Sequence, residues 1–183
     1  LNYDSFAILY RTNAQSRILE EACRKHNIPY RVFGSISFYQ RKEVKDALAY
    51  FRLSVNPNDD ESLKRIINYP ARGIGKTSLD RLSKAAFDAG LPIWDILQQP
   101  QSFVPEFKKG TLSKLNDFTN LILSFSETQE KLDAHEFGLD ILSKTGILKE
   151  FAYETTPEAL SKYENLQELL NGIREYSESE KNE

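Results

Sequence analysis

The sequence predicts a mixed, mostly α-helical fold in which a short α/β segment precedes a helical subdomain. Residues 6–10 and 29–33 are short runs of strand length, and each is followed by a stretch with helical periodicity. The run Asn-Pro-Asn-Asp-Asp at residues 56–60 interrupts this pattern, and apolar residues beyond it recur only at helical spacing. We therefore expect an α/β segment over residues 1–55 and a helical segment over residues 56–183.

The predicted α/β segment has the order strand, helix, strand, helix. The strand at residues 6–10 leads into a turn in which Thr12 or Asn13 caps a helix that runs to about residue 25. The strand at residues 29–33 is followed by a helix from about residue 42 to residue 54. The apolar face of this second helix is predicted to consist of Val44, Ala47, Leu48, Phe51 and Val55.

Helices account for the whole of the predicted C-terminal segment. Asp59 or Asp60 caps the first of them, and Gly90 and Gly146 suit the positions that terminate two later helices. Trp94 is predicted to be a core residue rather than a ligand contact. The first predicted helix covers about residues 61–68, and the second begins after a glycine turn, described below, and ends near residue 90. Further helices are predicted at about residues 91–97, 112–132, 134–145, 147–153 and from residue 157 onward.

A glycine turn between two predicted helices is the leading candidate for a binding site. Pro70 ends the first helix, Gly73 and Gly75 supply backbone freedom, and Thr77 or Ser78 can cap the next helix. Backbone N–H groups at the start of that helix can hold an anion, and the basic residues around them favour a phosphate of a nucleic-acid backbone. The residues predicted to bind DNA are Arg72, Gly73, Ile74, Gly75, Lys76 and Thr77. Because Gly-x-Gly is common before helices, an ordinary loop is the alternative.

Charge is distributed unevenly along the chain. The net charge of the 183 residues is −3, yet residues 1–90 carry 15 Lys and Arg against 10 Asp and Glu, whereas residues 91–183 carry 9 against 17. A basic first half can face phosphates, and an acidic second half is expected to face solvent or protein.

Composition argues against several classes of protein. No run of 18 apolar residues and no signal-peptide pattern occurs, so we expect neither a membrane span nor secretion. The single cysteine, Cys23, excludes an internal disulfide and agrees with a cytoplasmic location. The only histidines are His26 and His135, which have no further ligand at useful spacing, so no metal site is predicted.

Four ordered motifs resemble one protein family. Ala-Ile-Leu-Tyr-Arg-Thr-Asn-Ala-Gln-Ser-Arg at residues 7–17 is similar to motif IV of the UvrD/PcrA/Rep group of superfamily 1 DNA helicases. The similarity continues through residues 34–46, 56–60 and 68–75, and more weakly at residues 163–166. The two helices and the Pro-x-x-Gly-Ile-Gly turn between them also resemble a helix-hairpin-helix motif, which holds duplex DNA by its phosphates without reading bases.

This resemblance implies two helicase subdomains with different roles. Residues 1–55 would be part of subdomain 2A, which has a RecA-like fold, and residues 56–183 part of the mostly helical subdomain 2B, whose glycine turn contacts duplex DNA. Tyr10 would stack on the adenine of ATP, and Arg11 would reach the γ-phosphate, where its planar guanidinium stabilises charge on the transferring phosphoryl group. The alternatives are a core tyrosine and an exposed capping arginine.

Three further residues of the matching motifs are expected to have supporting roles. Gln15 and Arg17 are assigned to local packing, and Arg41 is expected to be the polar anchor of residues 38–46, the segment that holds the junction between the two subdomains.

The resemblance covers most of the chain but implies only a middle slice of the enzyme. Neither a Gly-x-x-x-x-Gly-Lys-Ser/Thr phosphate loop nor an acidic pair typical of a Mg²⁺ site occurs. The complete enzyme is expected to use ATP and Mg²⁺ to move 3′ to 5′ on single-stranded DNA and to unwind duplex in repair or replication, whereas the piece alone is expected to bind no cofactor and to be inactive. The expected partners are duplex DNA, the remaining helicase domains and a repair protein. A stand-alone helical DNA-binding or protein-docking module without ATPase activity is the alternative.

Overall fold

The computed structural model describes residues 2–34 and 36–180, and its regular structure is helical. Short 3₁₀ helices occur at Tyr3–Ser5, Asn13–Gln15 and Phe38–Gln40. The α-helices are α1 (Ser16–Lys25), α2 (Lys42–Val55), α3 (Asp60–Ile66), α4 (Lys76–Ala89), α5 (Ile93–Gln98), α6 (Pro100–Phe103), α7 (Lys109–Gln129), α8 (Ala134–Thr145), α9 (Ile147–Ala152) and α10 (Pro157–Glu180). The mostly α-helical class predicted from the sequence is confirmed.

The two predicted strands are not formed, since no strand occurs among the residues that the structure describes. Residues 6–10 and 29–33 run as irregular chain, and the exposed fractions of Phe6, Leu9 and Phe33 are 65%, 94% and 84%. A strand is stabilised by a hydrogen-bonded neighbour and by burial of one face, and neither is supplied to these segments within the described part of the chain. The predicted α/β segment is therefore not confirmed, because in this structure both runs are irregular and lack a sheet.

Several helix ends follow the predicted signals. Asp59 is the N-cap of α3, where its carboxylate accepts a hydrogen bond from the Ser62 amide at 3.0 Å. Gly90 and Gly146 take left-handed conformations, with φ of 65° and 86°, at the C-termini of α4 and α8. Pro157 is the first residue of α10, as its fixed φ favours.

The chain divides into two compact units. The first is formed within Leu1–Lys45 and Leu148–Glu183, and the second within Asp46–Ile147. This division differs from the boundary predicted after residue 55, because it falls inside α2 and places most of α9 and all of α10 in the first unit. The assignment of residues 1–55 and 56–183 to subdomains of a larger enzyme stays a prediction.

Each unit has its own buried residues. In the second unit the core includes Trp94, which is 4% exposed, as predicted. The predicted apolar face of α2 is only partly right, because Val55 is 66% exposed whereas Tyr50 and Leu53 are fully buried. The other large core side chains of the second unit include Leu63, Ile66, Ile67, Ile74, Leu82, Ile93, Leu97, Leu115, Phe118, Ile122, Phe125, Ile141 and Leu142, and those of the first include Phe38, Val44, Leu166, Leu169 and Leu170. None of the described helices has the length and hydropathy needed to cross a bilayer.

Candidate functional site

The glycine turn is a well-ordered connection between α3 and α4. Gly73 has a φ of 70°, in the left-handed region, whereas Gly75 has a φ of −74° and is the N-cap of α4. The side-chain oxygen of Asn68 accepts hydrogen bonds from the backbone amides of Arg72 and Ile74, both at 3.0 Å. Ile74 is buried and fixes the turn to the core of the second unit. The left-handed position is thus Gly73, while Gly75 needs no unusual backbone angle.

The start of α4 offers uncapped backbone donors. No side chain caps this helix, so the prediction that Thr77 or Ser78 is its cap is wrong, and both lie in its first turn. The amide of Ser78 donates to the carbonyl of Gly75 at 3.0 Å. The amides of Lys76 and Thr77 precede the first residue that can find an intrahelical acceptor, and both residues are exposed. This arrangement suits an anion near Gly75, with the Lys76 ammonium beside it.

Arg72 is turned inward rather than toward solvent. Its guanidinium donates to the carbonyls of Pro70 at 3.1 Å and of Thr145 at 3.2 Å, and it lies 5.7 Å from the ring centres of both Tyr50 and Phe118. These contacts stabilise the turn on the side that faces the core of the second unit. Arg72 therefore contributes positive charge at the base of the turn, whereas Lys76 presents its charge at the surface.

Lys114 is a basic residue of this region that the sequence analysis missed. Its Nζ donates to the carbonyl of Gly73 at 3.1 Å, and it is exposed on α7. An open cleft of about 410 Å³ lies beside the turn, lined by Arg72, Lys114, Asp117, Phe118, Leu121, Lys144 and Thr145. Because Lys114 is 41 residues from Gly73 in the chain, no local pattern could connect the two.

Tyr10 and Arg11, the predicted nucleotide contacts, precede the 3₁₀ turn Asn13–Gln15 in the first unit. The backbone amides of Arg11 and Thr12 donate to the side-chain oxygen of Gln15 at 2.9 and 3.2 Å, in agreement with the local supporting role predicted for Gln15. Arg11 is exposed, and its guanidinium has no ion pair or hydrogen bond with the described residues. Tyr10 is half-buried. The Arg11 side chain is accordingly free to bind an external anion.

A buried polar cluster holds the segment that follows Arg11. The Arg41 guanidinium donates to the Asn13 carbonyl at 2.6 Å, the Asn165 side-chain oxygen at 2.7 Å and the Ser16 hydroxyl at 2.9 Å. The amide of Asn165 in turn donates to Glu43 Oε1 at 2.7 Å. Burial lowers the pKa of the Arg41 guanidinium below its usual value, although the Glu43 carboxylate acts in the opposite direction. Arg41 is thus a polar anchor, as the sequence predicted.

Arg17 is fully buried in the first unit and pairs with three carboxylates. Its guanidinium donates to Glu21 at 2.7 Å, Glu168 at 2.9 Å and Glu175 at 2.8 Å. Burial alone would lower the pKa of Arg17, but the hydrogen bonds to Glu175 and Glu168 outweigh it and raise the pKa above its usual value. A Cβ at Gly172 would lie only 2.8 Å from Nη1 of Arg17, so a glycine allows α10 to approach this guanidinium. Arg17 is structural, as predicted.

Glu20 fixes the extended run between α1 and α2. Its carboxylate accepts hydrogen bonds from the Ser37 hydroxyl, the Phe38 amide at 2.8 Å and the Tyr30 hydroxyl at 3.2 Å. Burial raises the pKa of Glu20, but these hydrogen bonds together lower it below the ordinary value. Over residues 2–34 and 36–180 no group of three or more His, Cys, Asp or Glu side chains is placed to hold a metal ion.

The chain matches a known protein family and is similar to named helicases. Residues 1–183 match the UvrD-like helicase C-terminal domain. The sequence is 42% identical over 177 residues to the ATP-dependent DNA helicase PcrA of Staphylococcus aureus and 41% identical to that of Staphylococcus epidermidis. These matches cover 97% of this chain and 24% of each relative, so the chain spans about a quarter of the length of these proteins.

Proposed function

The chain belongs to the UvrD-like helicase C-terminal domain family, and from that membership we propose that it acts as part of an ATP-dependent DNA helicase. The observation that carries this proposal is the match over residues 1–183, together with a relative that is itself named an ATP-dependent DNA helicase. We propose further that the complete enzyme moves 3′ to 5′ on single-stranded DNA and unwinds duplex during repair or replication. ATP is then its substrate, with Mg²⁺ as the accompanying ion.

The proposed duplex contact is the glycine turn with the start of α4, in the manner of a helix-hairpin-helix motif. The uncapped amides at Lys76 and Thr77 supply hydrogen-bond donors, and the exposed Lys76 supplies charge. Near Gly75 the surface is open, because a Cβ placed there would meet no atom within 4 Å. A phosphate can therefore approach the backbone closely. Contacts of this kind bind DNA without reading its sequence.

The proposed nucleotide contact is the pair Tyr10 and Arg11. An exposed guanidinium without a partner among the described residues is suited to bind the γ-phosphate of ATP held by other parts of the enzyme. The hydrogen bonds of Gln15 hold the backbone at Arg11 while leaving its side chain free. We propose that Tyr10 packs against the adenine ring. The chain alone supplies one side of this site, and we therefore expect it to hydrolyse no ATP.

The exposed apolar runs at residues 6–10 and 29–33 support the proposed place of this chain in subdomain 2A. Phe6, Leu9 and Phe33 have apolar side chains that a sheet would bury. We propose that these runs become strands when the remaining helicase domains complete a RecA-like sheet. A cytoplasmic location and a repair protein that binds the acidic second half complete the proposal.

The experiment that tests this function is the Arg11→Ala substitution in the complete enzyme. We expect kcat for DNA-stimulated ATP hydrolysis to fall by roughly 10³-fold, because a charge-stabilising arginine is lost, while the affinity for DNA stays unchanged. Tyr10→Ala should mainly raise KM for ATP. Arg31→Ala, which removes another exposed arginine of the first unit, is the matched control. Wild-type kcat in Arg11→Ala would refute the proposed contact.

A stand-alone helical binding module is the second candidate, and it is less well supported. Such a module would have no reason to match a helicase domain over residues 1–183. It would also leave the free Arg11 side chain without a role.

A further inference from the structure

We propose that Arg41 and Asn165 are positioning residues for Arg11, so that helix α10 helps to set the location of the γ-phosphate contact. This inference rests on the proposed function of Arg11. It assigns a role to Asn165, which lies 124 residues after Arg41 in the chain.

The first step is that the Arg11 segment depends on side chains for its shape. Residues 6–10 before it are irregular and mostly exposed in this structure, and the bonds that hold the Arg11 backbone come from the residues that follow it. Gln15 ties the amides of Arg11 and Thr12 to the 3₁₀ turn. The position of Arg11 therefore follows the position of this turn.

The second step is that Arg41 ties the turn to the rest of the first unit. One of its terminal nitrogens donates to the Asn13 carbonyl, and the other donates to the Ser16 hydroxyl, which itself donates to the Asn13 carbonyl at 2.9 Å. A guanidinium presents its donors in a rigid planar fork, so these bonds fix the turn in direction as well as in distance. The Phe38 ring, whose centre is 5.4 Å from the guanidinium carbon, limits its movement on one side.

The third step is that Asn165 determines where the Arg41 fork lies. Its side-chain oxygen accepts from Arg41 at 2.7 Å, and its amide nitrogen donates to Glu43 at 2.7 Å. Asn165 is 2% exposed, so water cannot replace either bond readily. Removal of the Asn165 side-chain amide leaves Arg41 and Glu43 without the partner that they share. The Arg41 guanidinium would then be held less firmly, and so would the turn at Asn13 and the Arg11 backbone that depends on it.

Asn165→Ala in the complete enzyme tests this inference. We expect kcat for ATP hydrolysis to fall by roughly 10- to 100-fold, the scale of a misplacement of about 1 Å at a reacting centre. KM for ATP and the affinity for DNA should change less than twofold. Asn171→Ala is the matched control, since Asn171 is an exposed asparagine on the same helix, and it should leave kcat unchanged.

Repeating the substitution in an Arg11→Ala background separates positioning from a general structural effect. If Asn165 acts through Arg11, its replacement should cause no further loss of kcat once Arg11 is absent. An equal fold loss in both backgrounds, or an unchanged kcat in the single variant, would overturn the inference and leave the proposed role of Arg11 intact. Wild-type kcat in Arg11→Ala alone would instead overturn the proposed function. If Asn165→Ala does not unfold cooperatively, and is therefore misfolded, Ser16→Ala replaces it in the test. This variant removes only a hydroxyl that accepts a hydrogen bond from Arg41, and the same comparison of kcat in the two backgrounds applies to it.

Discussion

Substitutions at Gly75 and Lys76 test whether the glycine turn holds a phosphate of duplex DNA. Gly75→Val adds a side chain at the point where a phosphate would approach the backbone, and Lys76→Ala removes the exposed charge beside it. Both changes leave the fold largely intact. At Gly75 the φ of −74° is ordinary for any residue, and a Cβ would meet no protein atom within 4 Å.

The structure sets the size of each effect. Replacing the N-cap glycine of α4 by valine should destabilise the unit by about 1 kcal/mol or less. Loss of one hydrogen bond to a charged phosphate is about 1.5 kcal/mol, which corresponds to a roughly tenfold weaker affinity. Lys76→Ala should reduce the slope of log affinity against log salt by about 0.9, because one fewer counterion is released. The Kd for duplex DNA should be roughly 10⁻⁴ to 10⁻⁶ M and should not depend on the DNA sequence.

The assay is fluorescence anisotropy with several labelled duplexes at several salt concentrations, with folding checked by circular dichroism. Lys84→Ala is the matched control. Lys84 is an exposed lysine of α4, about 12 Å along the helix axis from Lys76, and its loss should change the salt slope far less. Equal binding by the wild-type protein and by folded Gly75→Val and Lys76→Ala variants would refute the reasoning and reduce the turn to an ordinary loop.

Two further predictions concern stability. Arg17→Met, which keeps the bulk of the side chain but removes its charge, should lower the free energy of unfolding by about 3 kcal/mol in urea titrations, because three carboxylates lose their common partner. Glu175→Gln is its control and should cost under about 1 kcal/mol, since Glu175 is 62% exposed; similar losses in both variants would contradict the central role of Arg17. For Glu20, a pKa below the ordinary 4.5 in the folded state contributes stability that is complete above pH 4.5 and is lost as the pH falls through the folded pKa. In urea titrations between pH 6 and pH 3, the free energy of unfolding should therefore fall less steeply below pH 4.5 in Glu20→Gln than in the wild-type protein. An equally steep fall in both proteins would argue against this linkage.

Features that depend on neighbours in the sequence were predictable. The glycine C-caps at Gly90 and Gly146 and the aspartate N-cap at Asp59 are recognised from a few adjacent residues, and the structure has all three. Arg41 could be identified as an anchor from its place in a motif. Its partner Asn165 could not be assigned, because their hydrogen bond joins residues 124 positions apart.

Features that depend on distant partners were not predictable. The strand pattern at residues 6–10 describes side chains suited to a sheet, but pairing depends on a neighbouring strand that the local sequence does not reveal. The Arg72 side chain is turned inward partly by its hydrogen bond to the Thr145 carbonyl, 73 residues away. The apolar residues of α2 fit two overlapping helix faces, and the sequence does not reveal which of them is buried. Packing in the second unit buries Tyr50 and Leu53 and leaves Val55 exposed.

The uncovered apolar runs also affect how this chain behaves when it is produced alone. The side chains of Phe6, Leu9 and Phe33 in these segments are apolar and exposed, and exposed apolar side chains promote association of identical chains at high concentration. Charged residues that act as gatekeepers lie close by, since Asp4 precedes the first run and Arg31 interrupts the second. We therefore expect the solubility of the isolated chain to be limited by self-association through these runs rather than by unfolding of its helical core.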